Sequence, residues 1–342
     1  MVSSGVFNRK SLSSRSIFWP ALLVLTLAAP TFAAPPARAL PVRRALSAIP
    51  RIEARGLQFE ALPLERSRQN HLLLRATING KPALLGVDSG APVSAISIAR
   101  LRYFGMTPVR ADSDIPTRLR INGAYNNVAI ARSLRLGALN LVDEPMVAVD
   151  LGGSSKAAVM MNEQAIDGIL GADVLFPTEA VLDCRAQMLI LKVDPKVRGS
   201  APGLDFTGFK GIPIHVSSGY NLYVDGQLNG KRAKFMVDTG AYTTLLHHPL
   251  VRRMKIPLHD SPFRSEGVNL RQRGVQFATI SRFSVGSVHM RDKKVGVIDL
   301  EGLVRNGLLD SSPPVAGLLG SEILQRHNGI IDFGKKMLYL KL

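Results

Sequence analysis

The chain has 342 residues, of which 46% are hydrophobic and 20% are charged. This composition excludes a largely disordered chain, because it supplies enough apolar surface for a core. At one domain per roughly 100–200 residues, the length indicates two units, or one large unit with an N-terminal extension. The formal net charge of +17 favours anionic partners in general. Because the basic residues beyond position 56 are scattered and not interleaved with aromatics, no nucleic-acid partner is expected.

The N-terminus has the order basic, apolar, small that is typical of a secretory signal peptide. Basic residues up to Arg15 precede an apolar run over 17–29, and small residues suited to cleavage follow up to Ala39. We predict a signal peptide over 1–39 and an exported protein, periplasmic or secreted, with no stable membrane insertion after cleavage. An uncleaved N-terminal membrane anchor is the alternative, although the run is shorter than the roughly 20 residues that cross a bilayer.

Beyond this segment the chain contains one sequence twice. Residues 72–91 recur without a gap as residues 222–241, at an offset of 150. Later matches, such as 168–171 with 317–320, have an offset of 149. A repeat of this length indicates that one domain has been duplicated.

The repeat defines a domain organisation. Residues 40–56 contain two prolines and four arginines and are interpreted as a basic lead-in that acts as an extended tether. The first lobe is predicted over 57–193 and the second over 204–342. Between them, residues 194–203 have the glycine- and proline-rich composition of a linker.

Within each copy the pattern predicts mainly strands. Asn79-Gly80 and Asn229-Gly230 each separate two apolar runs and are typical of two-residue hairpin turns, because both turn residues take positive φ. Short helices are predicted over 97–104 and after each of Gly171 and Gly320. Many short strands with few helices favour two β-rich lobes.

Metal and cofactor sites are not predicted. The one cysteine, Cys184, excludes an internal disulfide and any multi-cysteine metal site. Its place beside an apolar run indicates a small buried side chain. The seven histidines never fall into a His-Glu-x-x-His spacing, and we interpret them as solvated or capping residues.

The chemistry is expected at an aspartate that occurs once in each copy. Asp88 and Asp238 each follow an apolar run and precede a hydroxyl residue and a glycine. A carboxylate on a short glycine turn can approach a second backbone closely, and a two-fold arrangement of the copies brings both carboxylates together. Two adjacent carboxylates share one proton, so one acts as a base towards water and the other as an acid.

These motifs resemble the pepsin/retropepsin-like aspartic peptidases, in a bacterial single-chain form with two retropepsin-like repeats. Each copy has the apolar-Asp-Ser/Thr-Gly-Ala turn, a later apolar-apolar-Gly segment and a closing pair of strands. In having alanine after each glycine, at positions 91 and 241, the two turns are more similar to those of retropepsins than to those of pepsin. The resemblance implies a mainly β fold, with two homologous retropepsin-like β-barrel lobes related by a pseudo-two-fold axis and the active site between them.

The resemblance also implies roles for individual residues. Asp88 and Asp238 are expected to be the catalytic dyad. Four neighbours are expected to support the dyad, the hydroxyl residues by cross-bonding the two turns: Ser89, Gly90, Thr239 and Gly240.

A substrate-binding flap is a further implication of the resemblance. The candidate hairpins lie over 120–127 and 270–276, and Gly123, Tyr125 and Gly274 are the residues expected to contact substrate.

The expected function is that of an aspartic endopeptidase that hydrolyses peptide or protein substrates by dyad-activated water. It is expected to need no cofactor and no metal, and to act as a monomer in which the two copies form an intrachain pseudo-dimer. Because Ala91 and Ala241 offer the dyad no hydroxyl donor, a mildly acidic optimum is expected. The alternative is a non-catalytic module that binds peptides or an envelope polymer on the same fold.

Overall fold

The computed structural model describes residues 51–53, 58–109, 120–121, 124–125, 127–194, 196–197, 201, 203–217, 220–261, 264–267, 270–305, 309 and 314–342. The predicted signal peptide and most of the predicted lead-in lie outside these ranges. Among the helices that are described, none has the length and apolar composition needed to cross a membrane.

The first copy is built mainly from strands. They are β1 (Arg51–Glu53), β2 (Phe59–Pro63), β3 (Glu65–Arg66), β4 (Leu72–Ile78), β5 (Lys81–Val87), β6 (Ala95–Ser97), β7 (Pro108–Val109), β8 (Arg120–Ile121), β9 (Ala124–Tyr125), β10 (Val128–Leu136), β11 (Leu139–Val149), β12 (Gly168–Leu170), β13 (Val181–Asp183) and β14 (Met188–Lys192). Its helices are a 3-10 turn (Ile98–Arg100), α1 (Leu101–Phe104), α2 (Gly152–Met160) and α3 (Ala172–Leu175).

The second copy repeats this order. Its strands are β15 (Phe209–Pro213), β16 (His215–Val216), β17 (Leu222–Leu228), β18 (Lys231–Val237), β19 (Leu245–His247), β20 (Arg264–Gly267), β21 (Leu270–Gly274), β22 (Gln276–Val285), β23 (Val288–Ile298), β24 (Gly317–Leu319), β25 (Ile330–Asp332) and β26 (Met337–Lys341). Its helices are α4 (His248–Arg253), α5 (Glu301–Arg305) and α6 (Ser321–Arg326).

The two predicted hairpin turns are confirmed. Asn79 and Gly80 have φ values of 50° and 78°, and Asn229 and Gly230 have values of 49° and 85°. Such a two-residue turn fixes the register of the strands that it joins. β4 therefore pairs with β5, and β17 with β18, from the residues next to each turn onwards.

Each copy closes its own sheet into a barrel. In the first copy the sheet order is β1-β11-β6-β12-β5-β4-β10-β7, and a further pairing of β10 with β11 closes it. In the second copy the order is β16-β17-β18-β24-β19-β23-β22, closed by the pairing of β17 with β22. Closure removes most sheet edges and encloses the aliphatic core. The mainly β fold with two retropepsin-like barrel lobes is confirmed.

A third sheet joins the two copies. Its order is β15-β26-β25-β13-β14-β2, with three strands from each copy. At its centre β13 pairs antiparallel with β25, and Leu182 lies opposite its repeat equivalent Ile331. An antiparallel pairing of equivalent residues has two-fold symmetry, so the approximate axis that relates the lobes passes between these two strands.

Three further predictions can be compared with this architecture. The helix predicted over 97–104 is present as the 3-10 turn and α1, and it ends at Gly105, whose φ of 63° is left-handed. Cys184 is buried, as expected for a small side chain beside a strand. Residues 51–53, expected to belong to a tether, instead form β1, which pairs with β11.

Candidate active site

Asp88 and Asp238 each follow the last residue of a central barrel strand. The backbone N–H of Asp88 donates a hydrogen bond to the carbonyl of Leu170 on β12, at 3.0 Å. The N–H of Asp238 donates to the carbonyl of Leu319 on β24, also at 3.0 Å. Both aspartates are only 2% exposed. The parallel neighbour strand thus fixes each aspartate at the same point of its barrel.

The turn after each aspartate directs N–H groups at its carboxylate. Gly90 N–H donates to Asp88 Oδ1 at 2.8 Å, and the N–H groups of Gly240 and Ala241 donate to Asp238 Oδ1 at 2.9 and 3.0 Å. Gly240 N–H also lies 3.2 Å from Asp88 Oδ1, in the other lobe. These bonds fix both carboxylates in orientation and bring them to one site at the interface.

The glycines permit this close approach. A Cβ atom placed on Gly90 would lie 2.5 Å from Oδ1 of Asp238. A Cβ atom on Gly240 would collide in the same way with the carboxylate of Asp88. Real Cβ atoms do not come this near to another heavy atom, so a residue other than glycine would force the two turns apart.

The hydroxyl residues form a reciprocal set of hydrogen bonds between the lobes. Thr239 Oγ1 donates to the carbonyl of Val87 and accepts from the N–H of Ser89, both at 2.9 Å. Ser89 Oγ donates to the carbonyl of Val237 at 2.9 Å and accepts from the N–H of Thr239 at 3.1 Å. All four bonds are buried, so Ser89 and Thr239 hold the two aspartate turns in register with one another.

Removal of one hydroxyl group should therefore weaken the hydrogen-bonded contact between the lobes. In Thr239→Val, the N–H of Ser89 and the carbonyl of Val87 remain buried but lose their partner. We expect a loss of about 2–5 kcal/mol in the free energy of unfolding, measured by urea denaturation. Thr239→Ser is the matched control, because Ser89 makes the same pair of bonds with a serine hydroxyl. Equal losses in both variants would show that the hydroxyl bonds are not the cause.

Burial and mutual proximity set the protonation of the two aspartates. Burial raises the pKa of Asp88 to about 6, although N–H donors oppose the shift. Burial and then the charge of Asp88 raise the pKa of Asp238 well above its ordinary value. The side chains are close enough for a protonated Asp238 to donate a hydrogen bond to Asp88. Between the two titration steps the pair therefore holds one proton and one negative charge.

His71 lies beside the dyad, so its interpretation as a solvated or capping residue is wrong. It lines a small pocket with Asp88 and Gly240, and its Nε2 is buried without a hydrogen-bond partner among the described residues. Burial lowers the pKa of His71 to about 4, against a smaller opposing effect of the Gly240 backbone. The imidazole is thus neutral wherever Asp88 is ionised. In the second copy Asn221 stands at the equivalent position, so the two sides of the site differ.

The linked protonation of His71 gives a testable dependence of stability on pH. Between its ordinary pKa of 6.5 and its folded pKa of about 4, the unfolded chain binds a proton that the folded chain does not, so this histidine lowers stability as pH falls. In His71→Asn that loss is removed. We expect the variant to gain stability over the wild type between pH 6.5 and pH 4, read from urea midpoints. His289→Asn, at an exposed position, is the control, and its stability should follow that of the wild type. If the difference in stability between His71→Asn and the wild type stays constant from pH 6.5 to pH 4, the lowered pKa of His71 is contradicted.

The residues predicted for the flap have different outcomes. Gly123 lies outside the described residues. The backbone of Tyr125 pairs with that of Arg120 in the hairpin of β8 and β9. Gly274 lies opposite Arg264 at the open end of the hairpin of β20 and β21, so it is at the base of this hairpin and not at its tip. β20 lies next to α2 of the first copy, which shows that this hairpin reaches across to the other lobe.

A family model described as aspartyl protease matches residues 74–174 and 224–323, one match in each copy. The chain is similar to the crystal structure of basic 7S globulin from soybean, at 11% identity and a TM-score of 0.45, covering 83% of this chain and 94% of that one. It is also similar to a retropepsin-like aspartic protease from Rickettsia conorii, at 22% identity and a TM-score of 0.30, covering 39% of this chain and 90% of that one. No curated protein matches the chain at a significant level. Since the two family matches together span more than half of its length, the chain belongs to the aspartyl protease family.

Proposed function

We propose that the protein is an aspartic endopeptidase whose catalytic groups are Asp88 and Asp238. The observation that carries this proposal is the pair of buried carboxyl groups, held together across the lobe interface by reciprocal hydrogen bonds. Two like charges in contact and out of water oppose folding. A protein that only binds peptides or an envelope polymer has no need of this arrangement, so the dyad favours catalysis over the non-catalytic alternative.

The proposed reaction uses the asymmetric protonation of the pair. Asp88, as the carboxylate, removes a proton from a water molecule while the water oxygen attacks the carbonyl carbon of the scissile peptide bond. Asp238 donates its proton to the carbonyl oxygen, so the tetrahedral intermediate is neutral. When the C–N bond breaks, the proton on Asp88 passes to the leaving amine and Asp238 recovers its proton from the collapsing intermediate. Atoms and charges balance, and the dyad returns to its starting state.

The active unit in this proposal is one chain. Each carboxylate comes from a different copy, and the shared sheet ties β13 of the first copy to β25 of the second. Neither copy alone contains the dyad. Proteins truncated to 57–193 or 204–342 should therefore lack activity at low concentration. Equal activity of the first copy as a homodimer would contradict the intrachain arrangement.

We also propose that the protein is exported, on the basis of the N-terminal segment over 1–39. The expected location is the periplasm or the exterior of a bacterial cell, where an extended peptide or protein segment would be the substrate. N-terminal sequencing of the protein from cell fractions tests this proposal. An intact Met1 on protein in the cytosolic fraction would reject it.

The test of the proposed function is cleavage of a mixed peptide library by the chain without residues 1–39. Products identified by mass spectrometry should be internal cleavages, and a statine-type inhibitor, which mimics the tetrahedral intermediate, should suppress them. The non-catalytic alternative predicts peptide retention without new termini. Cleavage that persists with the inhibitor and is blocked by a chelator or a serine reagent would contradict the proposed dyad chemistry.

A further inference from the structure

The two lobes differ at one sheet edge. In the first lobe, β1 pairs antiparallel with the outer edge of β11, with Arg51 opposite Val142, Ile52 opposite Leu141 and Glu53 opposite Asn140. The same edge of β11 pairs further along with β6. A short strand from the N-terminal side of the chain thus covers the first half of this edge.

In the second lobe, no described strand covers the equivalent edge. β23 corresponds to β11, and its outer edge pairs with β19 over Gly296–Ile298. Within the part of the chain that the structure describes, no strand pairs with this edge over 288–294. Both strands have a residue with positive φ at the same place, Asp143 in β11 and Asp292 in β23. The two edges therefore have the same shape, and residues 289–291 are the counterparts of 140–142.

The outer face beside this open edge is basic. Arg282 of β22 lies directly opposite Arg291 of β23, and both are exposed. Like charges directly opposite each other on neighbouring strands are destabilising. Neither guanidinium forms an ion pair with a described residue. With the exposed His289, they line a surface pocket of about 340 Å³ whose lining contains no acidic residue.

The side chains along this edge alternate between exposed basic residues and a half-buried apolar one. Met290, between His289 and Arg291, is half-buried and packs against the hydrophobic core. A strand added here in the register of β1 would place its middle residue opposite Met290 and its two flanking residues opposite His289 and Arg291. In the first lobe the uncharged Asn140 and Val142 occupy the flanking positions, so the charge of Arg291 has no counterpart on that edge.

We propose that residues 289–291 of β23 form a docking site for an extended segment of a partner protein, with acidic residues on either side of an apolar one, which adds to the sheet as β1 does in the first lobe. Main-chain hydrogen bonds to the edge would supply the register, and Arg282 and Arg291 would select the acidic residues. This site lies on the barrel wall and uses no residue of the dyad. The docking proposal can therefore be tested independently of the proposed catalysis.

The test is fluorescence anisotropy with a labelled heptapeptide of alternating glutamate and valine, in the presence of a statine-type inhibitor. We expect saturable binding that Arg291→Glu weakens by about tenfold or more. Arg102→Glu, at an exposed position on α1 of the other lobe, should leave the affinity unchanged. A peptide of alternating lysine and valine should not bind.

Backbone methylation separates strand addition from simple charge attraction. N-methylation of the residues whose N–H groups face β23 should abolish binding, whereas methylation of the alternate residues should change the affinity less than about threefold. Equal binding by both methylated peptides would overturn the proposal, as would binding that appears only without the inhibitor, which would place the peptide in the cleft. If the chain forms dimers in sedimentation experiments and Arg291→Glu makes it monomeric, the occupant is a second copy and the proposed partner is wrong.

Discussion

Replacement of either Asp88 or Asp238 by asparagine is expected to reduce kcat/KM for peptide cleavage by roughly 10³- to 10⁴-fold. Asparagine keeps the shape of the side chain and can still accept the N–H bonds of the turn, but it can neither remove a proton from water nor hold the shared proton. Because the two groups act as one unit, the double variant should be no less active than either single variant.

The same substitutions should leave the fold intact and increase its stability at neutral pH. Burial raises the pKa of Asp88 from an ordinary 3.8 to about 6, so the folded chain binds a proton there that the unfolded chain releases. Such a group loses stability as pH rises between these values. The asparagine variants lack this loss. Their unfolding midpoints should exceed that of the wild type at pH 7, and the difference should shrink towards pH 4.

Asp150→Asn is the matched control for these variants. Asp150 Oδ1 accepts an N–H bond from Gly152 two residues on, at 2.8 Å, as Asp88 does from Gly90, but Asp150 is exposed. The control should keep wild-type activity and show no stabilisation at pH 7. Full activity in Asp88→Asn or Asp238→Asn would end the interpretation of the pair as catalytic.

Gly240→Ala is expected to have the second largest effect. The new Cβ would lie against the carboxylate of Asp88, and that carboxylate is held by N–H groups of both turns, so the turns themselves must move. A displacement of about 1 Å in a catalytic group costs on the order of 10²-fold in rate. Overpacking of a buried site costs about 1–3 kcal/mol in stability. We expect both losses together, in peptide cleavage and in urea unfolding.

Gly274→Ala is the control for stability. No atom lies within 4 Å of a Cβ placed there, and this glycine is not in the left-handed region. Its unfolding midpoint should equal that of the wild type. If Gly240→Ala were as stable and as active as the wild type, the close approach of the two turns could not be a requirement of the site.

Much of the site could be predicted from the sequence because the relevant constraints are local. The Asn-Gly turns set the hairpin registers, and the repeat placed one aspartate at the end of the same strand in each copy. Glycine after each hydroxyl residue then indicated a close approach of backbones. The position of His71 beside the dyad could also have been predicted from the sequence. Extending the register of β4 and β5 back from Asn79-Gly80 puts His71 opposite Asp88, a step that the sequence analysis did not take.

Other features depend on contacts between distant parts of the chain. Residues 51–53 have no pattern that distinguishes a strand from a tether, because their pairing with β11 depends on an edge formed 87 to 91 residues later (140 − 53 = 87; 142 − 51 = 91). The shared sheet likewise joins closing strands of both copies to strands that begin each copy. Helix α2 was not predicted, since its sequence of glycine, serine and small apolar residues has no clear amphipathic pattern. Such elements are set by tertiary packing and not by local preference.

The pH dependence of kcat/KM for the wild-type chain tests most directly whether Asp88 and Asp238 act as one proton-sharing pair. The account predicts a bell-shaped profile, because catalysis requires the form with one proton and one charge. Its acid limb should lie near pH 6, where burial places the pKa of Asp88, and its alkaline limb should reflect the raised pKa of Asp238. A profile with its maximum near pH 2 would contradict the raised pKa values, and the absence of peptide cleavage at every pH from 3 to 9 would contradict the account as a whole.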